Sequence, residues 1–179
     1  MKKFLMTIAA AFAATTMSAQ MYVGGGIGFE NKSYDGESAT SLSINPELGY
    51  VLDENASLGI SLGFGQSGKD DAKKTTLSVQ PYYRYKFMKT EKVDLFVDGT
   101  FYFANTKGDG YKDKDYKVNA WGIGVRPGVA VALNDKLSFV STMGFLGYKS
   151  SKPDGDKATN TIGFDLNSLN LNFGLYYNF

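Results

Sequence analysis

The sequence LNLNFGLYYNF, residues 169–179, ends the chain and decides its fold. Every odd-numbered position in it is apolar or aromatic, whereas the residues between are asparagine, glycine or tyrosine. Only a β-strand, whose successive side chains point to opposite faces, can place all these apolar groups on one side. The sequence therefore predicts a C-terminal strand with one apolar face, one amide-rich face and an aromatic last residue.

The same two-residue period recurs in seven earlier segments, so the chain has eight candidate strands. One phase of each is mostly apolar, as in Leu58, Ile60 and Leu62, and the other carries glycine, serine, asparagine and charged residues. The connections are alternately long and polar (residues 31–40, 66–75, 105–117 and 149–160) and short (residues 53–56, 88–92 and 134–136).

This arrangement favours a sheet that crosses a membrane. Each segment is near the roughly 9–11 residues of a tilted spanning strand, and a spanning sheet must close because lipid cannot satisfy its edges. A soluble lipocalin-like barrel would reverse the pattern, with its apolar face inward. The sequence predicts an all-β fold: an eight-stranded antiparallel transmembrane up-and-down β-barrel with short periplasmic turns, four longer extracellular loops and both termini periplasmic.

The N-terminal end has the features of an export signal. Lys2 and Lys3 precede an apolar run over residues 4–14, and a segment of mostly small and polar residues follows over residues 15–20. These features are typical of a secretory signal peptide, and the run is shorter than the roughly 20 apolar residues of a membrane anchor. We predict that residues 1–20 are a cleaved signal, with cleavage between Ser18 and Met21, and that residues 21–179 form one outer-membrane β-barrel.

Composition excludes several classes of site. The chain of 179 residues has a net charge of +1 and no basic block, so it lacks the electrostatic footprint of a nucleic-acid-binding protein. It has no cysteine, and therefore neither a disulfide nor a thiolate metal site. The 21 glycines, 12 tyrosines and 13 phenylalanines fit short twisted strands with aromatic girdles at both interfaces. Trp121, Phe101 and Phe103 are predicted for the outer girdle, and Tyr177 and Phe179 for the inner one.

Three local features complicate the pattern. Residues 137–148 are apolar on both phases, and we place Leu137, Phe139, Met143 and Phe145 outward. The apolar phase changes near Asn167 and Ser168, which a β-bulge would accommodate. Three prolines, Pro46, Pro81 and Pro127, fall within strands, where each removes a ladder donor, and we predict local bulges or bends there.

Four segments carry a resemblance to a known family: PELGY at residues 46–50, PYYRY at 81–85, RPG at 126–128 and the ending at 171–179. Over residues 21–179 the chain resembles the small outer-membrane β-barrel domain family of the OmpX/OmpA-like kind. The resemblance implies an eight-stranded barrel with a filled interior. It also implies insertion by the outer-membrane assembly machinery through the C-terminal strand, with Phe173, Leu175, Tyr177 and Phe179 as the assembly signal. No ligand follows, because one fold hosts many functions.

The inward-facing charges are the first candidate site. Glu47, Arg84, Asp98 and Arg126 are predicted near mid-barrel, and Lys86 and Asp94 nearer the periplasmic end. The interior of an eight-stranded barrel is just wide enough for side chains, and buried charges must pair there because an isolated one is very costly. We predict an interior network of salt bridges that fills the lumen. The alternative is a narrow ion path lined by the same charges.

Catalytic, cofactor and metal sites are not predicted. The chain has no histidine, which removes the common general base and metal ligand, and no serine–lysine or carboxylate pair is singled out. Asp109, Asp113 and Asp115 are carboxylates of the kind that bind calcium, but they lack the EF-hand spacing and lie among lysines, so a solvated loop is expected.

The predicted function is that of a monomeric outer-membrane protein with a structural or surface-interaction role and a filled lumen. The alternatives are a small-pore porin and, more remotely, a barrel hydrolase. The expected partners are outer-membrane lipid, the assembly machinery and an extracellular ligand of the loops, with no nucleic acid.

Overall fold

A computed structural model describes residues 20–34, 37–69, 72–108, 116–165 and 172–179. These ranges form ten strands. The strands are β1 (Met21–Tyr34), β2 (Glu37–Val51), β3 (Ala56–Lys69), β4 (Ala72–Lys89), β5 (Val93–Gly108), β6 (Tyr116–Ala132), β7 (Leu137–Thr142), β8 (Phe145–Pro153), β9 (Thr159–Asp165) and β10 (Asn172–Asn178). Within these ranges there is no helix long and apolar enough to cross a membrane.

Where the sequence predicts long loops, β1 and β2 cover most of residues 31–40 and β3 and β4 cover most of residues 66–75, so much of each predicted loop is extended strand. We keep the term long connections for the four polar segments at this end of the barrel.

The strands close into a barrel. From β1 to β6 each strand pairs antiparallel with the next, and β10 pairs with β1 from Tyr22 opposite Asn178 to Gly25 opposite Leu175. Strand β6 pairs with both β7 and β8, β10 also pairs with β7, and β9 pairs with β8. Thus β7 and β8 together form the seventh barrel strand, and β9 and β10 the eighth. The predicted eight-stranded antiparallel barrel is confirmed.

Short polar turns join the strands at one end of the barrel. The Asp53 Oδ1 atom accepts hydrogen bonds from the backbone N–H groups of Asn55 and Ala56, at 2.7 and 2.8 Å. Asn134 Oδ1 accepts the equivalent two bonds in the later turn, at 2.9 and 2.8 Å. A side-chain oxygen that binds backbone donors two and three residues on stabilises a tight reversal, and it keeps the two strand arms in register.

The barrel exposes its apolar phase and buries its polar one. Phe87, on the apolar phase, is 58% exposed, whereas Asp98, which was predicted to point inward, is 0% exposed. Other exposed apolar residues lie all around the outer face: Leu58, Leu77, Val79, Tyr85, Phe103, Ile123, Phe164 and Leu175. This distribution is the reverse of that in a water-soluble protein, where large apolar side chains are mostly buried.

The predicted orientation of Phe145 is wrong. Its side chain is buried and 8% exposed, whereas Leu146 is 47% exposed. Thr142 pairs with Gly128 but Leu146 pairs with Val125, so β7 and β8 contain one residue more than the β6 segment opposite them. This one-residue bulge shifts the phase.

Gly144 lies within that bulge with φ of 65°, a left-handed conformation that glycine adopts without steric cost. Leu137 and Phe139, in contrast, keep the predicted phase: the Phe139 ring stacks on exposed Phe173, with ring centroids 5.8 Å apart.

The three strand prolines differ in their effect. The bulge between β7 and β8 lies opposite Pro127, which has no N–H to donate. The β2–β3 ladder is interrupted at Pro46 and the β4–β5 ladder at Pro81, but the register is the same on both sides of each gap. A bulge is therefore present at one proline, and only a local gap in pairing at the other two.

The phase change in the last barrel strand is visible on either side of residues 166–171. Ile162 and Phe164, at even positions, are exposed in β9, whereas Phe173 and Leu175, at odd positions, are exposed in β10. The predicted bulge near Asn167 and Ser168 itself lies outside the described residues, as do residues 1–19 of the signal predicted over residues 1–20.

Candidate functional site in the barrel interior

Three of the predicted interior charges lie side by side across three strands. In the sheet register Arg84 of β4 is opposite Asp98 of β5, which in turn is opposite Arg126 of β6. Cross-strand neighbours point to the same face of a sheet, and in this barrel that face is the interior. The register therefore gathers a carboxylate between two guanidinium groups.

Arg84 and Asp98 form the tightest contact of this group. Arg84 Nε lies 2.8 Å from Asp98 Oδ1, and Arg84 Nη2 lies 3.0 Å from Asp98 Oδ2. Their side chains are 6% and 0% exposed. A bidentate, charge-assisted pair of this kind is among the stronger polar contacts in proteins, and it offsets the cost of removing both charges from water.

Arg126 is bound more loosely. Its Nη2 lies 3.4 Å from Asp98 Oδ2, its Nη1 donates to Gln80 Oε1 at 3.3 Å, and its buried Nε has no hydrogen-bond partner among the described residues. Gln80 Nε2 donates to Thr100 Oγ1 at 2.8 Å, which extends the network to a second residue of β5. Arg84, Asp98 and Arg126 together carry one positive charge in excess, because two guanidinium groups share one carboxylate.

Aromatic rings surround the Arg84 guanidinium. Its Cζ lies 3.9 Å from the ring centroid of Phe96, 5.1 Å from that of Tyr82 and 5.6 Å from that of Tyr176, all within the range of cation–π attraction. The hydroxyl groups of Tyr22 and Tyr82 are 2.9 Å apart. We call these five residues (Tyr22, Tyr82, Arg84, Phe96 and Tyr176) the central layer; all five are buried.

Inward-facing glycines make room for the rings of the central layer. Tyr22 is opposite Gly49, Tyr82 is opposite Gly59, and Phe96 is opposite Gly128. A Cβ atom added at these glycines would lie 2.0, 2.4 and 2.3 Å from the facing ring. Such distances are below van der Waals contact, so only glycine fits opposite each ring.

The remaining predicted charges lie on either side of the central layer. Glu47 accepts a hydrogen bond from the hydroxyl of Tyr176 at 2.5 Å, on the side of the long connections. Lys86 Nζ lies 2.8 Å from Asp94 Oδ2, on the side of the short turns, and both side chains are partly exposed. Thus the six predicted residues form one triad, one ion pair and one carboxylate paired with a tyrosine, rather than a single continuous network.

Two cavities border the central layer. The larger, of about 390 Å³, lies toward the long connections and has a polar lining that includes Ser43, Asn45, Glu47 and Arg126. The smaller, of about 90 Å³, lies toward the short turns, where Lys86 and Asp94 line it. Tyr176 and Val140 border both. Packed side chains therefore separate two chambers within the described part of the lumen.

Comparison with known proteins identifies the kind of barrel. Residues 4–179 match the family described as outer membrane protein beta-barrel domain. The chain belongs to this family. Its membership makes the chain an integral outer-membrane β-barrel protein and identifies the exposed apolar face as the surface in contact with lipid.

Solved structures with a similar fold are also outer-membrane proteins. The crystal structure of Neisserial surface protein A, NspA, has a TM-score of 0.56 and 17% sequence identity, and the match covers 90% of this chain and 98% of that chain. The crystal structure of OprG from Pseudomonas aeruginosa has a TM-score of 0.54 and 11% identity, with coverage of 91% and 97%. Both likenesses concern the fold. A search of curated proteins found no match.

The C-terminal strand of this family member lies at the closure of the barrel. Phe173, Leu175 and Tyr177, three residues of the predicted assembly signal, are exposed on the outer face at 53%, 54% and 39%. Phe179, the fourth, packs its ring edge-on against that of Tyr177, with centroids 4.9 Å apart. These four residues therefore present an apolar stripe on β10 and just beyond it.

The candidate site predicted from the sequence did not include Tyr22, Tyr82, Phe96 or Tyr176. The signal that would have found them is a pairing of inward aromatic residues with inward glycines on adjacent strands. It requires the strand register, because each facing glycine lies on a neighbouring strand and is distant from its ring in the sequence.

Nothing in the described ranges forms a metal site, since they contain no group of three or more acidic ligands that could hold an ion. Asp109, Asp113 and Asp115, which were predicted to lie in a solvated loop, fall outside the described residues.

Proposed function

We propose that the protein is a monomeric outer-membrane barrel with a closed lumen, which acts as a structural or surface-interaction protein through its four long connections. The observation that supports a closed lumen is the central layer, whose buried rings and Arg84–Asp98 pair separate the two chambers. We propose no catalytic role, because the sequence has no histidine and the interior charges are engaged with one another.

The small-pore porin is the main alternative, and the polar linings of the two chambers are the feature that favours it. Because the central layer is packed, an ion could cross it only by displacing Arg84 from Asp98 or by separating the rings of Phe96 and Tyr82. Separating a buried ion pair costs several kcal/mol, roughly 3–5 when one partner is lost. The layer should therefore act as a barrier rather than as a selectivity filter.

Conductance in planar bilayers tests this proposal. We expect no steady channels from the natural protein, and steady channels from a Tyr82→Ala/Phe96→Ala variant that lacks two rings of the barrier. The matched control is Tyr102→Ala, which removes an inward ring outside the central layer and should leave the barrel closed. Each variant is first checked for folding by the electrophoretic shift between unboiled and boiled samples. Steady conductance from the natural protein would contradict a closed lumen.

We further propose that residues 1–20 are a cleaved signal and that both termini face the periplasm. In support, the backbone N–H of Phe179 donates to the carbonyl of Met21 at 3.1 Å, so the two ends of the barrel domain meet, and they do so at the end that carries the short turns. In outer-membrane barrels short turns face the periplasm and long connections face outward.

Single cysteines can test this orientation, because the natural chain has none. Asp156→Cys places a thiol in an exposed long connection, and Asp135→Cys places one in an exposed short turn. An impermeant maleimide added to intact cells should label the first and not the second, and both should be labelled after lysis. The reverse pattern of labelling would overturn the orientation.

A further inference from the structure

An aromatic cluster lies on the lipid-facing surface of β5, β6 and β8. The rings of Phe101 and Phe103 are 4.6 Å apart, those of Phe101 and Trp121 are 6.1 Å apart, and those of Trp121 and Tyr148 are 5.3 Å apart. In the register Phe103 is opposite Trp121, so the cluster runs across three adjacent strands toward the long connections. We call these four residues the aromatic cluster.

Polar residues follow in order along the same outward phase. Two residues beyond the Phe103–Trp121 pair, Asn105 is opposite Asn119 and donates from Nδ2 to Asn119 Oδ1 at 2.6 Å. Two residues further, Lys107 is opposite Lys117. On the adjacent strand Lys152 is opposite Asn119. Lys107, Lys117 and Lys152 are all exposed, and we call them the lysine rim.

The lysine rim forms no ion pair within the described part of the chain. The ion pairs there are the interior ones and the Lys89–Glu54 pair near the short turns, and none of them involves the rim. Like charges directly opposite each other on adjacent strands are destabilising. Three neighbouring lysines that form no ion pair among the described residues therefore suit an anion that comes from outside the protein.

We propose that the lysine rim binds the phosphate group of a membrane lipid whose acyl chains lie against the aromatic cluster. Lys107 lies four residues beyond Phe103, a distance along the strand of about 13 Å at about 3.3 Å per residue. A strand tilt of about 40° reduces this to roughly 10 Å along the membrane normal. The polar headgroup region is about 5–8 Å thick on each side of the hydrocarbon core, and lysine stems can bend toward it.

The lipid, rather than a free anion, follows from the continuity of the surface. Apolar residues, aromatic rings, an amide pair and lysines succeed one another on one face, in the order in which acyl chain, interface and headgroup succeed one another in a membrane. The assignment of this lipid to the outer leaflet rests on the orientation proposed above. The binding site itself does not depend on that orientation.

Trp121 provides a direct readout, because it is the single tryptophan of the chain and belongs to the aromatic cluster. We would reconstitute the protein in phosphatidylcholine vesicles and measure the quenching of Trp121 by phosphatidic acid with brominated acyl chains, against brominated phosphatidylcholine. We expect phosphatidic acid to be preferred at least about tenfold, because each basic residue near a membrane surface contributes about fivefold.

The decisive variant is Lys107→Gln/Lys117→Gln/Lys152→Gln, which should lower the preference to less than about twofold. The matched control, Lys89→Gln/Lys92→Gln/Lys136→Gln, removes the same charge at the short-turn end and should keep the preference. The variant Lys107→Arg/Lys117→Arg/Lys152→Arg preserves the positive charges of the rim and should also keep the preference for phosphatidic acid. All variants are checked for the electrophoretic shift of a folded barrel.

Competition identifies the source of the phosphate. Bisphosphorylated lipid A should displace brominated phosphatidic acid, whereas dephosphorylated lipid A and millimolar inorganic phosphate should not. The proposal is overturned if the natural protein shows no preference for phosphatidic acid, if the glutamine variant retains it, or if inorganic phosphate competes as well as lipid A. Vesicles carry the lipid in both leaflets, so a failure of this experiment is separate from a failure of the cysteine labelling.

Discussion

Arg84 and Asp98 face each other across β4 and β5 in a bidentate pair, with Nε to Oδ1 at 2.8 Å and Nη2 to Oδ2 at 3.0 Å. Both lie in the middle of a barrel whose outer face is apolar, so neither charge has bulk water as an alternative partner. Substitution of either residue therefore leaves the other as a buried charge without its closest partner. The pair also connects the central layer to Arg126, the loosely held third member of the triad.

Loss of either partner should destabilise the barrel strongly. Arg84→Ala leaves Asp98 with only the long contact to Arg126, and breaking a buried pair in this way costs about 3–5 kcal/mol. The measurement is urea unfolding in lipid vesicles, followed by the electrophoretic shift. The control is Lys89→Ala, which breaks a surface pair of 3.5 Å with exposed Glu54 and should cost less than about 1 kcal/mol. Equal stability of the Arg84 variant and the natural protein would show that the pair does not support the barrel.

Replacing the charges together should be far less harmful than removing one. In the Arg84→Met/Asp98→Leu variant, Arg126 loses its carboxylate partner and remains a mostly buried charge that keeps only its bond to Gln80. We therefore expect stability to recover only in the triple variant that adds Arg126→Met, since apolar replacement of a whole buried ionic group is often neutral or stabilising by about 1–4 kcal/mol. The same urea titrations measure this. If the double variant were already as stable as the triple, Arg126 would not depend on Asp98.

The sequence was sufficient for the strands and most of their faces because lipid outside and polar groups inside impose a two-residue period. That period fails at Phe145: residues 137–148 are apolar on both phases, so no pattern distinguishes inside from outside there. The one-residue bulge opposite Pro127, with Gly144 in a left-handed conformation, determines which residues of β8 face inward. This bulge becomes visible only in the pairing of β6 with β7 and β8.

The interior site was predictable to a similar extent. Inward phase alone placed Arg84, Asp98 and Arg126 inside the barrel, but which charges meet depends on the register between strands, and hence on turn geometry. Glu47 was expected to join them and instead contacts Tyr176, a residue 129 positions away in the sequence. The relation between inward rings and inward glycines depends on the same register.

The glycines opposite the central layer should be intolerant of alanine. In Gly49→Ala the new methyl group would lie 2.0 Å from Tyr22 Cζ, so the ring must move, and overpacking of this kind costs about 1–3 kcal/mol. Gly163→Ala is the control, because nothing lies within 4 Å of its added Cβ. Unfolding midpoints in urea report both. Shortening the ring with Tyr22→Leu should restore part of the stability of the Gly49 variant, and the absence of any such coupling would place the strain elsewhere.

Removal of Phe179 should impair assembly of the barrel into the outer membrane more than it lowers the stability of the folded barrel. The residue follows β10, contributes one backbone hydrogen bond to Met21 and packs its ring against Tyr177 on the outer face, so few contacts are lost when it is deleted. If the C-terminal stripe is the signal that the assembly machinery recognises, the deletion should lower the folded fraction in the outer membrane several-fold, while refolding into vesicles in vitro stays nearly unchanged. Phe87→Ala, another exposed aromatic residue near the short turns, is the control and should assemble normally. An equal loss in cells and in vitro would assign Phe179 a structural role, and normal assembly of the deletion variant would remove it from the signal.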